Sequence, residues 1–212
     1  MRSRRKPLDL KGTRALSARL AYLGVAIALS LAVAACGDDE PGLLGPGDQT
    51  FEGTYTATIS GAATQTVSGT AIFAKGTDPE SGQQGWIVYL PTDVQNPLVA
   101  GNNVLFVGLG EPESRAYTLE DIHSGPEEFP NGGAAGMVLL YDGQNFTGAF
   151  NSTGGTLTVT SVSDTRMDGS FNFTAEGFTF DGTNQPQEGT VNVQGTFQAE
   201  GGTFLNPFGS GG

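Results

Sequence analysis

The sequence predicts an all-β fold: a single antiparallel β-sandwich or flattened barrel of roughly eight to eleven strands. Three observations predict it. Glycine supplies 33 of 212 residues, about twice its usual share. After residue 50, Gly or Pro interrupts almost every ten-residue window, and Thr, Val and Phe dominate between them, which is strand composition. Several segments also alternate apolar and polar residues, the pattern of strands with one face in a core and one in water.

The elements follow in chain order. Thr54–Ser60 and Thr66–Ala74 flank Gly61-Ala62-Ala63 as a hairpin. Trp86–Leu90, Val104–Leu109 and Met137–Tyr141 are continuous apolar runs, expected as strands buried on both faces. Asp142-Gly143 and Asp181-Gly182 are turn dipeptides, since Gly accepts positive φ. Thr156–Thr160 alternates and runs through the Ser163–Arg166 turn into Gly169–Ala175, which places Phe171 and Phe173 in the core. Val191–Phe197 does the same with Val191, Val193 and Phe197. A Gly-small-aromatic triplet recurs at Gly53, Gly148, Gly169, Gly195 and Gly202 with irregular spacing, so it is no solenoid repeat. Gly and the ring, two residues apart, share a face. The Gly either relieves sheet curvature or accepts a neighbouring ring over bare backbone. All 13 Phe and the single Trp follow residue 50, enough for one sizeable core.

The N-terminus is a different kind of sequence. Seven of the ten basic residues lie in the first 19 positions, opposed only by Asp9, and Leu20–Ala35 is an uncharged apolar stretch. A basic flank, a short apolar core and small terminal residues form a secretory signal. Sixteen residues are short for a membrane span, which needs ~20. Val33-Ala34-Ala35-Cys36 resembles the lipobox of bacterial lipoproteins. The resemblance implies cleavage after Ala35 and lipidation of Cys36, the only cysteine. Ser3-Arg4-Arg5 also resembles a twin-arginine signal, with Pro7 where that family favours an aromatic residue. The expected organisation is a signal over 1–35, a lipidated Cys and Gly/Pro/acid-rich tether over 36–50, the β domain over 51–204, and a tail over 205–212. Asp38-Asp39-Glu40 reads as linker charge or as a sorting signal, because acids after the lipidated Cys resemble surface-export signals of some lipoproteins. Gly37 directly after the Cys favours the outer membrane over retention at the inner one.

Cleavage would change the charge. Only Lys75, Arg115 and Arg166 remain as cations against 21 carboxylates, a net charge of −18 instead of −12. Such a chain is a poor nucleic-acid binder. One Cys excludes disulfide frameworks and Cys-based zinc sites. The expected membrane link is the lipid alone.

The search for chemistry yields little. His123 is the only His, and it reads as a solvated loop residue or a lone candidate base. Glu120, Asp121, Glu127 and Glu128, with Glu113 nearby, form the densest acidic stretch in the domain. They are the weak Ca²⁺ candidates, because a hard cation wants six to eight converging oxygens, yet no EF-hand spacing appears. Paired carboxylates for glycoside hydrolysis cannot be located from spacing alone, and no phosphate loop opens a helix. Trp86, Tyr89 and Tyr141 are either ligand-facing aromatics or core. Two segments, Gly154–Ala175 (GGTLTVTSVSDTRMDGSFNFTA in sequence) and Glu188–Glu200 (EGTVNVQGTFQAE), resemble the C-terminal half of uncharacterised β-rich bacterial lipoproteins. That resemblance implies an exported all-β domain and transfers no active site. The expectation is a non-enzymatic, membrane-anchored envelope module without a cofactor, in contact with an unknown protein, glycan or apolar ligand. The alternatives are a lipocalin-like carrier of an apolar ligand and a secreted hydrolase.

Overall fold

The computed structural model describes residues 52–77, 82, 84–94, 101–121, 133–180 and 185–201. The expected signal, tether and tail lie outside these residues. Ten strands and no helix occur among them: β1 (Thr54–Gly61), β2 (Gln65–Thr70), β3 (Ile72–Thr77), β4 (Gln84–Pro91), β5 (Asn103–Leu109), β6 (Ala116–Thr118), β7 (Ala134–Asp142), β8 (Asn145–Val162), β9 (Arg166–Phe180) and β10 (Pro186–Gly201).

Their pairing closes on itself. Antiparallel ladders link β3 to β4, β4 to β5, β5 to β7, β7 to β8, β8 to β9 and β9 to β10. β10 then pairs with β1 over eight residues, and β1 pairs with β2. Only Ala71 separates β2 from β3, and it is held on both sides: its N–H donates to the Gly53 carbonyl and its carbonyl accepts from the Glu200 N–H. β2 and β3 are therefore one strand bent at Ala71, which completes the ring. At the bend, β10 also meets β3 directly in a short parallel pairing at Ile72 and Phe73. Of the two expected architectures, the hydrogen-bond ring selects the barrel. One end, here called the base, carries the start of β1, the β8–β9 turn and the end of β10. The opposite end, the crown, carries the β1–β2 hairpin and the β7–β8 turn, where Gly143 sits at φ 61°.

The interior is one continuous cluster to which all ten strands contribute. Trp86, Tyr117, Phe73, Phe106, Phe150 and Phe173 are its largest fully buried side chains. Phe106 packs against Phe171 and Phe173 with ring centroids 5.0 and 5.7 Å away. Large rings fit because glycines stand across the ladder from them. Gly195 pairs with Phe171, and Phe197 pairs with Gly169. A Cβ on Gly195 would come 2.6 Å from the Phe171 ring, and one on Gly169 2.8 Å from the Phe197 ring. The triplets at Gly169 and Gly195 thus interlock in neighbouring strands, each glycine receiving the other strand's ring.

The exterior has two sides. On β1, β2, β9, β10 and the second half of β8, outward positions are mostly hydroxyls and amides, such as Thr56, Ser68, Asn172, Asn192 and Thr158. On β3, β4, β5 and β7 they are largely apolar, including Ile72, Ile87, Leu105 and Met137. This two-sided wall explains the continuous apolar runs. Burial on both faces holds for Val88–Leu90 of β4, while outward Leu105, Val107 and Leu139 are half-buried.

Replacing Gly195 by Ala should destabilise the barrel by about 1–3 kcal/mol, the usual cost of overpacking. Gly154→Ala, where an added methyl meets nothing within 4 Å, should change stability by less than about 0.5 kcal/mol. Urea unfolding followed through the single, buried Trp86 measures both.

Candidate functional site

The base holds the cations. Lys75 reaches Asp164 of the β8–β9 turn at 2.9 Å and Glu111 at 3.6 Å. The Lys75 hydrogen bond keeps the Asp164 carboxyl below the usual carboxylate range. Arg115 pairs with Glu113 and lies 4.1 Å from the Tyr117 ring centroid, and Arg166 pairs with Asp168. These contacts are largely solvent-exposed, so they orient loops more than they stabilise the fold.

Glu120 and Asp121, two of the cation candidates, follow β6 at the base. The Glu120 N–H donates to the Ala134 carbonyl, and its own carbonyl accepts from the Ser152 hydroxyl, so its backbone stitches β6 to β7 and β8. Glu113 is tied to Tyr117 by hydrogen bonds in both directions. Among the described residues no three His, Cys, Asp or Glu side chains converge as a metal site. Cys36, His123, Glu127 and Glu128 lie outside the described residues.

The three candidate aromatics separate. Trp86 is core, packed edge-on against Tyr117 with centroids 5.2 Å apart. Tyr89 is buried and donates its hydroxyl to Asn103 Oδ1 at 3.0 Å. Tyr141 is half-buried and lies at the crown.

There Asn102, one residue before β5, links β2 to β7. Its Nδ2 donates to Gln65 Oε1 of β2 at 3.0 Å, while its Oδ1 accepts from the Tyr141 N–H of β7 at 2.9 Å. Beside this amide bridge opens a cleft of about 190 Å³, with Leu140 from the core among its lining residues and Phe180 at its side. A chain of rings continues outward. Tyr141 meets Phe146 at 5.5 Å, Phe146 meets Phe180 at 6.0 Å, and Phe180 meets Phe178 at 5.2 Å, all near edge-to-face. A bulge between Leu140 and Tyr141 pairs Tyr141 with Phe146. Phe178 and Phe180 stand on the even-numbered face of β9, opposite the inward Phe171, Phe173 and Ala175. The sequence reading passed over these three phenylalanines. The signal was present: the rings of β9 switch from odd to even positions across Gly177.

A larger groove, about 460 Å³, runs over β1, β8, β9 and β10 towards the base. Its outward side chains are hydroxyls such as Thr54, Thr56, Ser170 and Thr196, together with Asp168, already paired to Arg166. It is bigger, but it offers no outward ring. The crown cleft combines an apolar surface with convergent polar groups, the usual make-up of a recognition site.

No protein-family model, curated protein or solved structure matches the chain.

Burial pushes the Tyr89 and Tyr55 phenols far above their ordinary value of 10.0, and it raises Tyr141 as well. The fold thus favours the neutral phenols. Their contribution to stability is complete below the unfolded pKa and is lost as pH rises above it. In alkaline titration, phenolate absorbance from Tyr55 and Tyr89 should appear only together with loss of Trp86's native emission. Ionisation of every tyrosine in the intact barrel would contradict this. The two hydroxyls also differ. Tyr89→Phe removes the donor from buried Asn103 and should cost about 1–3 kcal/mol. The Tyr55 hydroxyl is buried with no hydrogen-bond partner among the described residues, so Tyr55→Phe should be neutral or stabilising by up to about 1 kcal/mol in the same urea assay.

Proposed function

We propose that the chain is a bacterial envelope lipoprotein, anchored through Cys36 and acting as a non-catalytic binding module at the outer membrane. The anchor rests on the basic flank, the apolar stretch and Val33-Ala34-Ala35-Cys36. The observation that carries the module reading is the filled interior. Val88, Leu90, Phe106, Phe150, Val191 and Val193, contributed by four strands, have no surface that a water molecule could touch. A carrier needs a lumen wide enough for its ligand, and this interior is occupied by side chains, so recognition falls to the outer wall and the barrel ends.

The chain enters the barrel at the base, where β1 begins, so a lipid on Cys36 tethers the domain by that end. Several acyl chains, each contributing ~0.8 kcal/mol per buried CH₂, hold firmly without help from a basic patch. The three cations of the mature chain also gather at the base, while the crown cleft and its rings occupy the opposite end. Described carboxylates such as Glu113, Asp164 and Asp168 are engaged by these cations, which supports a structural role for them over hydrolysis.

Radiolabelled palmitate should be incorporated by the wild-type chain and not by Cys36→Ser, and the variant should leave the membrane fraction. Persistent labelling of the variant sinks the anchor. Native mass spectrometry of the purified mature protein should give the polypeptide-plus-lipid mass alone, whereas a co-purifying apolar ligand would favour a carrier.

A further inference from the structure

The crown cleft brings two chemistries together at one place. Thr64, Gln65, Asn102, Thr147 and Thr179 supply uncharged hydrogen-bonding groups to its lining. Phe180 stands beside them and is 36% exposed, the one large hydrophobic side chain so exposed among the described residues. Edge-to-face contacts to Phe146 and Phe178 hold its ring in orientation, so little freedom remains to be lost on binding. The Asn102 bridge fixes the polar wall in the same way.

From this juxtaposition we propose that the crown cleft binds a neutral glycan. One pyranose ring lays its C–H face against Phe180 while its hydroxyls exchange hydrogen bonds with the amide and hydroxyl wall. The proposal rests on the binding-module reading and names its ligand class. Charge selects this ligand over anionic ones. Among the described residues no Lys, Arg or His lines the cleft, and a mature chain of −18 repels phosphate, sulfate or uronate. Polarity selects it over lipid, because an acyl chain would leave the wall's amides and hydroxyls desolvated without partners. Size sets the extent of recognition. About 190 Å³ is below the ~300–1,000 Å³ of sites for drug-sized ligands, so the cleft takes one sugar unit of a longer chain.

Affinity electrophoresis tests it, with detergent-solubilised mature protein run through native gels containing hydroxyethylcellulose, laminarin, dextran or mannan. At least one of these should retard the protein. Phe180→Ala should weaken that retardation about tenfold or more, corresponding to ~1.4 kcal/mol. Phe180→Trp should retain it, and Thr158→Ala, on β8 away from the cleft lining, should leave it unchanged. Circular dichroism checks that each variant is folded. Free migration in all four gels overturns the proposal. So does retardation that survives Phe180→Ala, or stronger retardation by sulfated dextran than by dextran. Palmitate labelling of the same preparation separates the two readings. Label without retardation removes the glycan site alone, and retardation without label removes the anchor alone.

Discussion

The barrel depends on the fit of aromatic rings against bare glycine backbone inside a closed wall. Gly195 receives the ring of Phe171, and Gly169 receives that of Phe197. Gly108 stands opposite Trp86 under the same constraint. Without a Cβ at these positions the rings reach over the backbone of the neighbouring strand. Close packing makes the arrangement intolerant, since a single added methyl displaces rings that have no vacant space to enter. The same packing supports the proposed module reading, because Phe, Trp and Tyr side chains fill the described interior.

Closure divides the remaining surface. The hydroxyl-rich wall of β1, β2, β9 and β10 is readily hydrated. The apolar wall of β3, β4, β5 and β7 explains why those strands are continuous hydrophobic runs. The two ends differ as well. The base carries Lys75, Arg115 and Arg166 with their acidic partners and receives the chain from the N-terminal side. The crown carries amides, hydroxyls and the rings of Tyr141, Phe146, Phe178 and Phe180. A base that carries the described cations at one end and a neutral, ring-bearing cleft at the other give the domain a direction.

Much of the fold was legible in the residues. Alternation placed Phe171, Phe173, Val191, Val193 and Phe197 inward, and the Gly-small-aromatic triplets pointed to rings over backbone, as the Gly195–Phe171 pair shows. Closure was not legible, because it depends on β10 meeting β1 across more than 130 residues and on the bend at Ala71, neither of which has a local signature. The site was harder still. Composition left Trp86 and Tyr89 open between ligand face and core, and they serve packing and the Asn103 hydrogen bond. Tyr141 was a candidate, but Phe146, Phe178 and Phe180 beside it escaped notice because a bulge beside Tyr141 and the change of phase at Gly177 reverse the facing that simple alternation assigns.

The central claim is that β1 and β10 seal a continuous barrel around a filled core. Amide hydrogen exchange measured by NMR tests it most directly. If the ring is closed, the inter-strand amides of Ala57–Ile59 and Val191–Val193 should exchange as slowly as those between β8 and β9, opening only with global unfolding. Fast exchange along the β1–β10 seam, with protection kept between β8 and β9, would show an open sheet and contradict the account.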